Sequence, residues 1–189
     1  MSTSEPIRDK NKLRQLAGYY FQRGQIRNYT LIILGVHTAL RISDLLGLTW
    51  GDVYDDKNGV YNTHINLTEK KTGKHKTIAL NKQAGSALRL LHPHRCGDFI
   101  FASSRNPPVP ISRVQAWRII RAAADAVGLA GHVACHSLRK TFGYFAWKSG
   151  VPPVMLMDIY NHSSFEITRR YLGISQDDRD KVYLNLALF

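Results

Sequence analysis

The feature that most constrains the fold is a single change of hydrophobic period in a chain that otherwise repeats at helical spacing. From residue 60 apolar and polar residues alternate, which places on one face of a strand Tyr61, Thr63, Ile65 and Leu67. Residues 70–74 contain a glycine and predict a turn, after which residues 77–80 return as a second strand. One hairpin among helical segments predicts an α+β fold, mainly α, with a small antiparallel β-sheet.

Helical segments are predicted on both sides of this hairpin. The first is expected to start at residues 4–6, and Asn81 and Ser112 precede later periodic segments as capping residues. Residues 103–110 are rich in serine and proline and predict a loop. The helix after Ser112 is expected to bury Val114, Trp117, Ile120, Ala124 and Val127.

The charge balance favours a polyanionic partner. Lys and Arg number 26 against 14 acidic residues, which gives a net charge of +12. Double-stranded DNA fits this charge, although charge alone does not separate a DNA-binding protein from an ordinary basic one. A membrane partner is not expected, because the apolar residues 29–40 are too few to span a bilayer and Arg41 follows at once.

Cysteine usage and missing motifs narrow the chemistry further. Cys96 and Cys135 lie far apart without a CxxC spacing, which predicts free thiols in a reducing cytoplasm rather than a disulfide framework or a zinc site. The sequence contains neither a glycine-rich phosphate loop nor an HExxH or DxDxDG motif. No cofactor and no metal ion are therefore expected.

The stretch richest in reactive groups runs from residue 134 to residue 174. His136 and Arg139 are three apart, so on a helix they share a face and can bind one phosphate group. His162 follows a segment with two adjacent prolines, and Tyr171 lies nine residues after it. The tyrosine hydroxyl is a candidate nucleophile toward that phosphate.

These residues belong to short motifs, namely HSLR at 136–139, NHSS at 161–164 and RRYLGI at 169–174. Two further motifs precede them, TALRISDLL at 38–46 and KKTGK at 70–74. Together the motifs resemble the catalytic domain of the tyrosine recombinase (phage integrase) family over about residues 9–175. Five ordered motifs at the family's spacing are far more specific than a lone HxxR.

The resemblance implies a site-specific DNA recombinase or integrase. Such an enzyme cleaves and rejoins DNA strands without metal or ATP, through a 3′-phosphotyrosyl intermediate. In the family's pattern two arginines clamp the phosphate, a tyrosine attacks it, one histidine assists the tyrosine, a second contacts the phosphate, and a lysine protonates the leaving 5′ oxygen. Arg41 and Arg139 match the two arginines, and Tyr171 matches the attacking tyrosine. His136 matches the histidine that assists the tyrosine, His162 matches the second histidine, and Lys71 matches the lysine.

The assignment of the general acid has competitors within the same loop. Lys70, Lys74 and Lys76 lie close to Lys71 in sequence and stay open as alternatives. Asp44, three residues after the first motif arginine, matches a frequent acidic position of the family and is expected to orient the site.

Tyr160 and Asn161 depart from the family's pattern, which has leucine and glycine before the second histidine. Asparagine tolerates a left-handed backbone better than other non-glycine residues, so we expect the turn to keep its shape. Tyr160 becomes a second candidate nucleophile. Tyr171 is preferred because it follows His162 by nine residues and lies in the RRYLGI motif.

The resemblance divides the chain into a catalytic domain over residues 1–176 and an apolar tail helix over residues 177–189. The tail is expected to dock on its own core or on a neighbouring protomer, because alone it would expose a hydrophobic patch. The chain starts a few residues before the first catalytic helix, so no amino-terminal core-binding domain is expected in it. It resembles either a cut-out catalytic domain or the short stand-alone members of the family, such as the fimbrial-switch invertases. The implied assembly is a homo-oligomer, a tetramer of protomers on paired DNA sites.

Three other functions share some of these features. A type IB topoisomerase would form the same covalent adduct but leave no recombinant product. A non-cleaving DNA-binding or excision-directing protein would keep the fold without any need for a placed tyrosine. A basic structural protein without a specific site is disfavoured by the ordered motifs.

Overall fold

The computed structural model describes residues 4–103, 109–172, 174, 180 and 183–185. Within these ranges the longer helices are α1 (Lys10–Phe21), α2 (Ile26–His37), α3 (Ile42–Leu46), α4 (Lys82–Leu91), α5 (Arg113–Ala126), α6 (Cys135–Lys148), α7 (Pro153–Tyr160) and α8 (Phe165–Leu172). The strands are β1 (Tyr54–Asp55), β2 (Val60–Tyr61), β3 (His64–Thr68) and β4 (His75–Ala79). Short 3-10 turns lie at Trp50–Asp52 and His92–His94. The predicted α+β fold, mainly α, is confirmed.

The predicted antiparallel hairpin is confirmed, but its first strand is shorter than expected. β3 and β4 pair antiparallel, with Ile65 opposite Ile78. Tyr61 does not continue β3, because it pairs with Tyr54 in a separate two-stranded sheet of β1 and β2. The alternating pattern that begins at residue 60 therefore includes strands of two separate sheets, β2 in the first and β3 in the second. The segment that joins β3 to β4, residues 69–74, is called the lysine turn below.

α2 is the central helix of the main core. Most of its residues between 30 and 36 are buried where it packs against α1, α4 and α6. Its contact with α6 is close, because a Cβ atom added at Gly35 would lie 2.5 Å from Leu138 Cδ1. This contact fixes the first turns of α6, which carry Arg139, beside the end of α2, after which Arg41 follows.

Side-chain caps open two helices where the sequence predicts them. Asn81 Oδ1 accepts a hydrogen bond from the backbone N–H of Ala84 at 2.9 Å, at the start of α4. Ser112 Oγ accepts one from the backbone N–H of Gln115 at 3.1 Å, at the start of α5. Each bond satisfies a donor that the first helical turn leaves unpaired.

The first helix starts later than predicted. Asp9 caps α1 by accepting hydrogen bonds from the backbone N–H groups of Asn11 and Lys12. The residues before it pack on α6 instead of forming a helical turn, since the Ile7 N–H donates to Thr141 Oγ1 at 2.8 Å. A tertiary contact thus overrides a local start signal.

α5 buries Ile120 and Ala124 as expected, but two other predicted core residues lie outside its buried side. Val114 and Trp117 are 58% and 43% exposed, so the prediction that they face inward is wrong. Small side chains let helices approach closely, and α5 uses such a side against α1, α3 and α6. The buried side carries Ala116, Ile119, Ile120, Ala123 and Ala124.

A second, smaller core joins α6, α7 and α8. Ala39, Leu156, Tyr160 and Leu172 are completely buried in it, and Tyr171 packs against them. The helix that carries Tyr171 is therefore held by its own apolar contacts to α6 and α7.

The predicted tail lies mostly outside the described residues. Of residues 177–189, the structure describes 180 and 183–185, and there Tyr183 and Leu184 are 79% and 84% exposed. Across the part of the chain that the structure covers, every helix is too short or too polar to cross a bilayer.

Candidate active site

Arg41 is placed by an unusual backbone turn after α2. Ala39 adopts a φ of +55°, a left-handed conformation that costs a non-glycine residue about 1–2 kcal/mol. The chain then reverses, and Arg41 becomes the residue that precedes α3. Its guanidinium pairs with Glu69, with 2.7 Å between Arg41 Nη1 and Glu69 Oε2.

Arg139 lies beside this turn and is almost fully buried. Its Nη1 donates to the carbonyl of Ala39, and its Nη2 donates to the carbonyl of Tyr160 at 2.9 Å. Burial lowers the pKa of Arg139, and the charge of Arg41 lowers it further. A guanidinium still remains protonated at any pH that proteins tolerate, so both arginines supply a permanent positive field.

The ring of Tyr171 contacts the rings of His136 and His162. Its ring centroid is 4.9 Å from that of His136 and 4.7 Å from that of His162. Burial raises the pKa of Tyr171, while the charges of Arg139 and Arg41 and a hydrogen bond with Arg139 partly offset that rise. The phenol is therefore protonated at neutral pH, and nucleophilic attack requires a nearby proton acceptor.

Both histidines have a pKa lowered to about 4. Burial away from solvent is the main cause for each ring. The positive charges of Lys140 and Arg139 lower the pKa of His136 further, and those of Arg139 and Arg41 lower the pKa of His162 further. Neutral imidazole offers one ring nitrogen as an acceptor. A bound phosphate would counter the surrounding positive charge and raise these pKa values, which favours proton uptake once DNA is present.

The backbone turn before His162 keeps the shape expected from the sequence. Asn161 has φ +53° and ψ +41°, the left-handed conformation that glycine or asparagine adopts after a helix. His162 Nδ1 lies in a 3.0 Å hydrogen bond with Thr168 Oγ1, which orients the ring. The substitution of asparagine for the family's glycine is thus accommodated.

The lysines of the hairpin divide into two groups. Lys71 is exposed on the lysine turn and borders the cleft, as do Lys70 and Lys74. Lys76 does not line the cleft: its Nζ donates to the carbonyl of Ile159 at 2.5 Å and lies 3.9 Å from Glu69 Oε1. Burial, and secondly the charge of Arg139, lower the pKa of Lys76 to about 8. Lys70, Lys71 and Lys74 therefore border the cleft, whereas Lys76 joins β4 to α7.

An open cleft of about 950 Å³ gathers the side chains that the sequence predicts. Its walls come from the turn before α3, the lysine turn, the first turns of α6, the turn after α7, and α8. Among its lining residues are Arg41, Lys71, His136, Arg139, His162 and Tyr171. Among the described residues, no group of His, Cys, Asp and Glu has the arrangement of a metal site.

Tyr160, the competing nucleophile, is completely buried. Its hydroxyl donates to the carbonyl of Arg139 at 2.8 Å, and its ring stacks on His162 with 5.0 Å between centroids. Burial raises the pKa of Tyr160 far above its ordinary value. This geometry gives Tyr160 a packing role. Cys135 is also a poor nucleophile, because burial raises the pKa of its thiol to about 11.

Two acidic residues organise the site in ways that sequence reasoning did not resolve. Asp44 accepts a hydrogen bond from the backbone N–H of Lys70 at 3.1 Å, so it orients the lysine turn. Glu69 was not singled out, although it is an isolated acid within the basic segment 69–76. The structure buries it completely beside Arg41.

The fold and the cleft define a class, the catalytic domains of tyrosine recombinases. A structure of XerH site-specific recombinase, a post-cleavage complex with a palindromic difH substrate, matches 98% of this chain and 53% of that chain, with a TM-score of 0.80 and 16% identity. The model of the Phage integrase family matches residues 9–177. The chain belongs to the phage integrase family.

Individual relatives agree with this membership. The probable integrase/recombinase YoeC of Bacillus subtilis is 37% identical over 184 residues, which cover 97% of both chains. The tyrosine recombinase XerD of Neisseria meningitidis serogroup B is 27% identical over 154 residues, which cover 79% of this chain and 51% of XerD. The chain thus spans nearly all of YoeC and matches about half of XerD.

Proposed function

We propose that this protein is a site-specific DNA recombinase that cleaves and rejoins strands through a 3′-phosphotyrosyl intermediate, without metal or ATP. The observation that carries the proposal is the convergence of Arg41, Arg139 and Tyr171 on one open cleft. Membership of the phage integrase family and the relatives named as recombinases support the reaction class. The excess of positive charge supports a DNA substrate, and a cytoplasmic reaction is part of the proposal.

In this proposal Arg41 and Arg139 bind the non-bridging oxygens of the scissile phosphate. Their guanidinium groups are fixed before DNA arrives, one by Glu69 and the other by two backbone carbonyls. Donors that are already oriented stabilise the charge of the transition state without reorganisation, and one such donor commonly contributes about 3 kcal/mol.

The cleavage step transfers the phosphorus from one oxygen to another. Tyr171 Oη bonds to phosphorus while the bond from phosphorus to the 5′ oxygen breaks. His136, whose ring packs against Tyr171, accepts the phenolic proton, and His162 contacts a phosphate oxygen. Lys71 gives a proton to the leaving 5′ oxygen from the lysine turn.

Rejoining reverses these steps with a different 5′ hydroxyl. That hydroxyl attacks the phosphotyrosyl bond, Tyr171 recovers its proton, and the strand is resealed. A phosphodiester is exchanged for another ester of similar energy, so the sequence of steps needs no ATP.

Strand exchange requires more than one protomer on DNA, and we propose a tetramer on paired sites. A solved structure of the same fold is XerH bound to a palindromic substrate. Residues 1–176 would form the catalytic unit. The tail, residues 177–189, would dock on its own core or on a neighbour, and the exposed side chains of Tyr183 and Leu184 fit such docking.

The test is incubation with nicked suicide duplexes that carry candidate sites from the flanks of the encoding gene. A shifted band that resists denaturant, with a labelled 3′ phosphate on protein, is expected. Duplex binding without any adduct would instead indicate a non-cleaving DNA-binding protein. Relaxation of supercoiled DNA without recombinant product would indicate a topoisomerase.

A further inference from the structure

Glu69 is a completely buried carboxylate at the beginning of the lysine turn. Besides its 2.7 Å ion pair with Arg41, its Oε2 accepts a hydrogen bond from Thr72 Oγ1 at 2.7 Å. The side chain of Asn161 is also close enough to lower the pKa of Glu69, and Lys76 Nζ lies 3.9 Å from its Oε1. One carboxylate therefore lies among the turn before α3, the lysine turn and the turn before His162.

We propose that Glu69 is a positioning residue that holds Arg41, the lysine turn and the turn before His162 in the arrangement that strand cleavage requires. The inference rests on the proposed function and assigns a role to a residue outside the six catalytic ones.

The charge environment requires this carboxylate to be ionised. Burial alone would raise the pKa of Glu69, but hydrogen bonds from Thr72, Arg41 and Asn161 and the charge of Arg41 outweigh it, so the pKa lies below its ordinary value. A buried charge is tolerated when it is paired and hydrogen-bonded on several sides. Glu69 meets this condition beside Arg41, which lines the cleft.

Glu69 closes the lysine turn through its backbone as well as its side chain. Its N–H donates to the carbonyl of Lys74 at 3.0 Å, and its carbonyl accepts from the N–H of Gly73 at 2.9 Å. Lys71 lies inside this closed turn, between Glu69 and Thr72. The position of the proposed general acid is therefore linked to the same carboxylate that orients Arg41.

Asn161 provides the third connection and also a selective probe. Its left-handed backbone suits glycine at least as well as asparagine. Asn161→Gly therefore removes the side-chain amide that lowers the pKa of Glu69 while the backbone keeps its shape. The bond from Lys76 Nζ to the carbonyl of Ile159 remains as a second link between β4 and α7.

The first experiment observes Arg41 without DNA, in protein labelled with 15N-arginine. A guanidinium fixed by an ion pair rotates slowly about its Nε–Cζ bond, so its Nη signals should be separate in the wild type. In Glu69→Gln the signals of Arg41 should merge, whereas in the control Asp56→Asn, which removes the exposed ion pair with Arg95, they should stay separate. Unchanged signals in Glu69→Gln would overturn the proposal.

The second experiment measures single-turnover cleavage of a suicide duplex, together with duplex affinity and thermal stability. Glu69→Gln should slow cleavage about 30-fold, since misplacing a catalytic group by about an ångström costs on the order of 100-fold. Duplex affinity should change less than about threefold, because the phosphate contacts along the backbone remain. Faster cleavage or tighter binding would overturn the proposal, since Glu69 would then compete with the phosphate for Arg41.

A double-mutant cycle separates positioning from general destabilisation. Asn161→Gly should slow cleavage a few-fold alone and add little in the Glu69→Gln background, because both changes break one connection. Fully additive effects would contradict a shared role.

If Glu69→Gln proves unstable, Thr72→Val and Asn161→Gly supply the same cycle. If the wild type forms no adduct, the proposed function fails, while the arginine signals still report on the ion pair.

Discussion

Arg139 and Tyr160 hold each other by reciprocal hydrogen bonds: Arg139 Nη2 donates to the carbonyl of Tyr160 at 2.9 Å, and the Tyr160 hydroxyl donates to the carbonyl of Arg139 at 2.8 Å. The guanidinium carbon also lies 4.6 Å from the centroid of the Tyr160 ring. Tyr160 thus supports Arg139, and its buried hydroxyl is not exposed for attack on DNA.

Removing the Tyr160 hydroxyl tests this relationship. Tyr160→Phe should lower the free energy of unfolding by about 1–3 kcal/mol, because the buried carbonyl of Arg139 loses a donor. The variant should still form the covalent adduct with suicide DNA. Chemical denaturation gives the first quantity and a denaturing gel the second, and loss of the adduct at full stability would assign the chemistry to Tyr160.

The two arginines should differ in their structural importance but not in their chemical importance. Arg41→Ala and Arg139→Ala should each slow cleavage by about 100- to 1,000-fold, as loss of an oriented donor does. Arg139→Ala should also lower the melting temperature more, since it leaves two buried carbonyls without a donor. The measurements are single-turnover cleavage rates, duplex affinities and melting temperatures of the wild type and of both variants. Equal losses of binding and cleavage would make these arginines ordinary phosphate anchors.

The low pKa values of the histidines predict a pH-dependent stability. His136 and His162 have pKa values of about 4 in the folded protein against a reference value of 6.5, so the unfolded chain binds more protons between these limits. Their stabilising contribution should be complete above about pH 6.5 and should fall as the pH drops toward 4. Melts from pH 4.5 to 7.5 test this. His136→Gln and His162→Gln should each flatten the dependence, and slopes equal to the wild type would contradict it.

Alanine substitutions at two helical glycines should change the stability of the protein in opposite directions. A Cβ atom at Gly143 would overlap Tyr160 Oη, so Gly143→Ala should displace Tyr160 and lower stability by about 1–3 kcal/mol. At Gly18, in α1, no atom lies within 4 Å of the added Cβ, so Gly18→Ala should raise stability by about 0.5–1 kcal/mol. Denaturant midpoints distinguish them, and similar shifts would argue against close packing of Tyr160 on α6.

Local signals in the sequence predict the hairpin and the caps at Asn81 and Ser112, and the structure shows each of them. The left-handed turn at Asn161 is expected from the family's pattern together with the tolerance of asparagine for that conformation, and the structure shows it as well. The ordered motifs also identify side chains that meet in one cleft, because their spacing reflects a family fold rather than local propensity.

Features that depend on contacts between residues far apart in the sequence could not be predicted from local signals. Trp117 has helical spacing with apolar neighbours, yet its side of α5 stays exposed because an alanine-rich side packs more closely. The segment before Asp9 carries a helix-start signal, but contacts with α6 hold it extended. Glu69 reads as an exposed acid in a basic loop, since only the folded chain brings Arg41 and Asn161 to it.

The central claim is that Tyr171 becomes covalently attached to DNA within the cleft of Arg41 and Arg139. The most direct measurement compares wild type with Tyr171→Phe on a suicide duplex and maps the adduct by mass spectrometry. Wild type should yield a 3′-phosphotyrosyl peptide that contains Tyr171, and the variant should bind the duplex within a few fold but yield no adduct. An adduct that persists in Tyr171→Phe, or maps to another residue, would contradict the account.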